Sequence, residues 1–82
     1  MARIGEFHEM TSQTNRIHGL VECGYRIFTV DGETVIQLDT YGSSERKDRG
    51  SISQSIQLDE GAAHALVELI VRAFPAVRRS II

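Results

Sequence analysis

The sequence is short of several things, and each shortage rules something out. It has one cysteine, Cys23, so no disulfide can form within the chain, and a reducing cytoplasm is the expected compartment. No stretch approaches the ~20 consecutive apolar residues that a membrane-crossing helix needs. The opening MARIGEFHEM has no apolar run of signal-peptide length, so a soluble, intracellular protein is expected. Basic residues are not in excess. Nine Lys and Arg stand against eleven Asp and Glu, a formal net charge of −2, with a pI of about 5.8. A bulk electrostatic pull toward nucleic acid is thereby excluded, and any such binding must come from a local patch. No internal repeat or low-complexity segment is present.

Residues that carry chemistry are also sparse. His8, His18, Cys23 and His64 are scattered, with no CxxC and no ligand pair at i, i+4 spacing, so no metal site is expected. Cys23 has no base near it in sequence and reads as a buried, inert thiol. Asp39 followed by Glu45-Arg46-Lys47 has the residue types of metal-dependent nucleases. That chemistry wants the Glu and Lys on a strand beside the Asp, whereas here they fall in a charged, solvated loop. The same loop, Gly42 to Gly50, lacks the GxxxxGK[ST] order that cradles phosphate. No catalytic residue and no cofactor is expected, and the chain reads as non-enzymatic.

What is present describes a fold. With 82 residues, 41% hydrophobic and 24% charged, the chain is expected to form one domain, residues 1–82. So short a domain has a small core and commonly gains stability by self-association. Its organising stretch is Gly50 to Pro75. Ile52, Gln54, Ile56 and Leu58 alternate with Ser51, Ser53, Ser55 and Gln57, the period of a half-buried strand. The period then switches. Ala62, Leu66, Leu69, Ile70, Ala73 and Phe74 share one side of a helix, with Val67 and Val71 widening its apolar arc. Asp59 is placed to cap this helix, with Glu60 at the positive end of its dipole, and Pro75 stops it.

Upstream, Tyr25–Val30 and Thr34–Tyr41 flank Asp31-Gly32, the signal for a type I′ two-residue hairpin turn. That turn sets a register: Thr29 faces Thr34, Phe28 faces Val35, Ile27 faces Ile36, and Tyr25 faces Leu38. Tyr25, Ile27, Ile36 and Leu38 then share the face assigned to the helix; Arg26, Phe28, Val35, Gln37 and Asp39 share the other. Arg16–Glu22 is a plausible further strand, Arg3–Glu9 is a possible first one, and TSQTN between them reads as a loop. Residues 76–82 are too few for an assignment. The fold class expected is α+β, an antiparallel, twisted sheet of four to five strands with one C-terminal helix, in the order β-β-β-β-α.

One helix covers one face. If Arg16–Glu22 pairs with Tyr25–Val30, the uncovered face holds Ile17, Val21, Phe28, Val30 and Val35 beside Arg26, Gln37, Ser53, Ser55 and Gln57. Such a surface is expected to meet something. Single-stranded nucleic acid is held by aromatic platforms and basic side chains; Phe28 would stack, while Arg26 and the loop residues Arg46, Lys47 and Arg49 would contact phosphate. The alternative is a protein-interaction or assembly module that homodimerises through the open sheet face and the helix.

The order of antiparallel strands, basic loop, the strand Gly50-Ser-Ile52-Ser-Gln-Ser-Ile56-Gln-Leu58 and one helix resembles the positive-cofactor-four family, over about Tyr25 to Phe74. That resemblance implies a dimeric ββββα unit and a single-stranded-DNA-binding transcriptional coactivator. It points again to Arg26, Phe28, Arg46, Lys47 and Arg49. This chain lacks the family's lysine-rich strands. The segment VIQLDTYGS…SQSIQLD is also similar to short bacterial proteins labelled methionyl-tRNA formyltransferase-like, an enzyme for which the chain is far too short.

Overall fold

The computed structural model describes residues 1–11, 14–42 and 51–81. These form β1 (Ala2–Arg3), β2 (Cys23–Val30), β3 (Glu33–Tyr41), β4 (Ile52–Leu58), α1 (Glu60–Ala73) and α2 (Pro75–Ile81). The hairpin between β2 and β3 is the best-defined local unit. Asp31 and Gly32 have φ of 51° and 80°, the two left-handed residues that a type I′ turn requires. The strands pair in the register that this turn dictates, from Val30↔Glu33 through Phe28↔Val35 and Tyr25↔Leu38 to Cys23↔Thr40. The Thr29 and Thr34 hydroxyls meet across the strands at 2.9 Å.

β4 adds antiparallel to the far side of β3, pairing Ile36 with Leu58 and Leu38 with Ile56; the register shifts between Thr40 and Tyr41. On the β2 side of that shift the Tyr41 ring lies over Gly24. A Cβ at Gly24 would come within 3.3 Å of the Tyr41 hydroxyl oxygen, so glycine is what allows the close approach.

Three expectations are corrected. The first strand is Ala2–Arg3 alone, not Arg3–Glu9, and it pairs parallel to β4. The sheet is therefore mixed, with four strands in the order β1-β4-β3-β2. Alternation reveals a strand but not its direction, and beyond Ile4, Phe7 finds apolar surface near Leu69 and Arg72 of α1 instead of on the sheet. Arg16–Glu22 is not a strand. Ile17 and Leu20 are 98% and 95% exposed, and only Glu22 joins the ladder, its carbonyl accepting from the Tyr41 N–H at 3.1 Å. β3 ends at Tyr41, so among the described residues those before Glu22 have no strand to pair with. Finally, a second helix follows the first.

α1 begins as its cap predicts: the Asp59 side chain accepts from the Ala62 N–H at 2.9 Å, with Glu60 in the first turn and Arg72 in the last. It closes with the Phe74 N–H donating to the Ile70 carbonyl at 2.8 Å. Pro75 both ends α1 and opens α2. A missing N–H and a φ fixed near the helical value suit the first position of a helix as well as they disrupt its interior.

The core is thin. Among the described residues, Val35, Leu58 and Ala62 are the buried apolar ones, and no large side chain is fully buried. The radius of gyration is 15.1 Å, against about 12 Å for a compact chain of this length.

Candidate functional site

Two unlike faces of the sheet are the candidates. The first holds a polar chain across three strands, hydrogen-bonded between β3 and β4 and extended to β2 by an ion pair. β3 presents Gln37 and Asp39 on one side through the two-residue period, and the β3–β4 register sets Gln57 opposite Gln37 and Ser55 opposite Asp39. The Gln57 amide donates to Gln37 Oε1 at 2.8 Å. The Gln37 amide donates to Asp39 Oδ1 at 3.0 Å, and the Ser55 hydroxyl donates to the same oxygen at 2.6 Å. Arg26 Nη2 lies 3.9 Å from Asp39 Oδ2.

Gln37 and Asp39 are buried, at 3% and 6% exposure, and no buried side-chain polar atom among the described residues lacks a partner. The hydrogen bonds from Ser55 and then Gln37 hold the Asp39 carboxyl below its ordinary pKa; burial opposes them, and Arg26 adds a smaller downward push. Arg3 reaches from β1 to Glu33 at 3.2 Å on the same side. Each cation here has a carboxylate beside it.

Arg26 and Phe28 do come together on this face, the guanidinium carbon 6.0 Å from the ring centroid. The serine and glutamine hydrogen-bonders expected beside them include Gln37, Ser55 and Gln57, but these are spent on one another and on Asp39. Arg46, Lys47 and Arg49 lie outside the described residues. Ile17 and Val21 do not join this face.

The uncovered apolar surface lies on the opposite side, the one assigned to the helix. Tyr25 and Ile27 share that side with Ile36 and Leu38, as the register requires, yet they are 70% and 67% exposed. A helix is about 10 Å across and strands are about 4.8 Å apart, so one helix shelters roughly two strands. α1 starts over Ile36 and Leu58 and runs toward the segment that follows β1, where Leu69 lies near Phe7. β2, at the other end of the sheet, is beyond its reach. A groove of about 240 Å³ remains, lined among others by Ile27, Ile36, Leu58 and Ala63. On α1, Val67 is 45% exposed and Phe74, at its C-terminal end, 60%.

Cys23 is exposed at the start of β2, not buried as expected; it begins the outermost strand of the sheet. Among the described residues no group of three or more His, Cys, Asp or Glu is placed to hold a metal, and no helix is long and apolar enough to cross a membrane. Comparison with family models, with curated proteins and with solved structures returned no match.

Proposed function

We propose that this chain is a non-enzymatic, cytoplasmic assembly module that acts as a homodimer, burying the apolar sheet face and α1 against a second copy. One observation carries the reading. The chain exposes 7425 Å², against about 4,900 Å² for a compact monomer of 9.1 kDa. The excess, about 2,500 Å², exceeds the ~800 Å² that each partner buries in a standard interface. Part of it belongs to the extended stretch that holds Ile17 and Leu20, and part to the sheet face and α1, where Tyr25, Ile27, Ile56, Val67 and Phe74 are exposed. Sedimentation over a concentration series tests the reading. A dimer is expected at micromolar concentration, and Tyr25→Asp with Ile27→Asp is expected to dissociate it. A wild-type monomer throughout the series would refute the proposal.

A second reading, weak binding of single-stranded nucleic acid, has Arg26 beside Phe28 in its favour, together with the basic loop residues Arg46, Lys47 and Arg49 and the family resemblance. The Asp39 carboxylate beside Arg26 works against it by repelling phosphate. Fluorescence titration with a single-stranded oligonucleotide at two salt concentrations separates the readings. Phosphate contacts give affinity that falls steeply with salt, whereas an apolar protein interface changes little.

A further inference from the structure

The hydrogen-bond phase of the hairpin decides which backbone groups of β2 are spare. Across a two-residue turn the flanking pair, Val30 and Glu33, exchanges both backbone bonds, and bonded and non-bonded pairs alternate from there. The bond from the Tyr41 N–H to the Glu22 carbonyl lies in the same phase at the far end of the strand. Gly24, Arg26, Phe28 and Val30 therefore aim their N–H and C=O at β3. Cys23, Tyr25, Ile27 and Thr29 aim theirs outward, and β2 is the last strand of the sheet.

Among the described residues this edge has none of the usual protection. β2 is eight residues long and pairs with β3 without a bulge. It contains no proline and no lysine, and Arg26 is its one charged side chain. Natural edges of this length are normally blunted by such features or covered.

We infer that a second copy of this chain pairs its own β2 antiparallel with this edge, joining two four-stranded sheets into one of eight strands. The inference rests on the homodimer reading above and specifies how the β2 edge takes part in it. Antiparallel pairing of one strand with itself is self-complementary about a two-fold axis. It sets the exposed Tyr25 and Ile27 of both copies side by side and merges the two apolar faces. A single added peptide strand would satisfy the edge but would not set a second Tyr25 and Ile27 beside this exposed pair.

The register follows from charge. An axis through Arg26 would set two guanidinium groups directly opposite each other, an unfavourable cross-strand pair. An axis through Ile27 keeps the hydrogen-bond phase and sets Arg26 opposite the partner's Phe28, the same two groups that already meet within one copy. Ile27 then faces the partner's Ile27 at the Cα separation of about 5.5 Å of a bonded pair.

Three measurements on the full chain test this. Sedimentation shows whether a dimer exists; a monomer overturns the homodimer reading and this inference with it. Amide exchange by NMR on the dimer reads the edge directly. The Tyr25, Ile27 and Thr29 amides, which have no strand partner among the described residues of one copy, are expected to exchange more than about tenfold more slowly than those of an unpaired edge. A dimer in which these amides exchange freely overturns the edge pairing and leaves the homodimer standing. Oxidation of Ile27→Cys in a Cys23→Ser background is expected to give a covalent dimer. Failure to cross-link while Tyr25→Cys succeeds in that background would overturn the Ile27 axis.

Discussion

Asp39 is the residue whose chemistry is most dependent on its neighbours. Its pKa is depressed in the folded chain, chiefly by the Ser55 hydroxyl and then by the Gln37 amide. A carboxylate with a depressed folded pKa contributes stability that is present above its unfolded pKa, about 3.9. That contribution is lost as pH falls through the lower, folded value. Thermal melts of the wild type should therefore fall in midpoint below about pH 4, and Asp39→Asn should remove that part of the acid sensitivity. Ser55→Ala should lower the midpoint at neutral pH and move the acid loss upward in pH. Gly32 gives a second test at this scale. Its φ of 80° suits glycine, and Gly32→Val should cost about 1–2 kcal/mol in denaturant unfolding. The role of Gly32 was legible, because a two-residue turn names its own residues. The role of Asp39 was not. Alternation put Gln37 and Asp39 on one face, but the pairing of Ser55 with Asp39 depends on a register set across the long Gly42–Gly50 connection, for which no turn rule exists.

Elements divide in the same way. The hairpin and the start of α1 were readable, since each is decided by residues within a few positions of one another. Asp59→Ala should cost about 1 kcal/mol by leaving the Ala62 N–H without its acceptor, measured by chemical denaturation. Leu66 is only half-buried in the single chain. If a partner covers it, Leu66→Ala should cost about 2–5 kcal/mol; a loss well under that range would place Leu66 outside the interface. A first strand was anticipated at Arg3–Glu9, not at Ala2–Arg3, and its parallel pairing with β4 was not anticipated, because direction is a property of the pair. α2 was missed because Pro75 was read only as a terminator.

At the scale of the whole molecule the imbalance is between surface and core. The buried apolar residues among those described, Val35, Leu58 and Ala62, contribute roughly 1–3 kcal/mol each at best, while ordering each backbone residue costs about 1–2 kcal/mol. On the homodimer reading proposed above, a chain built this way would draw its stability from association. The thermal midpoint should accordingly rise with protein concentration, because a partner that binds only the folded state stabilises it by mass action. A midpoint unchanged over a hundredfold dilution would show that the single chain is self-sufficient.

The sequence by itself determined the hairpin and its register, the capped helix, the α+β class and the mismatch between one helix and a wider sheet. These depend on turn chemistry, period and local hydrogen bonding, which act over a few residues. Only the tertiary structure decided which face is left bare. That depends on where α1 crosses the sheet, and α1 follows β4 toward β1 and away from β2. The apolar alternation of β2 is the same whether a helix lies over it or not, so Tyr25 and Ile27 looked sheltered until the strand order put them at the far edge.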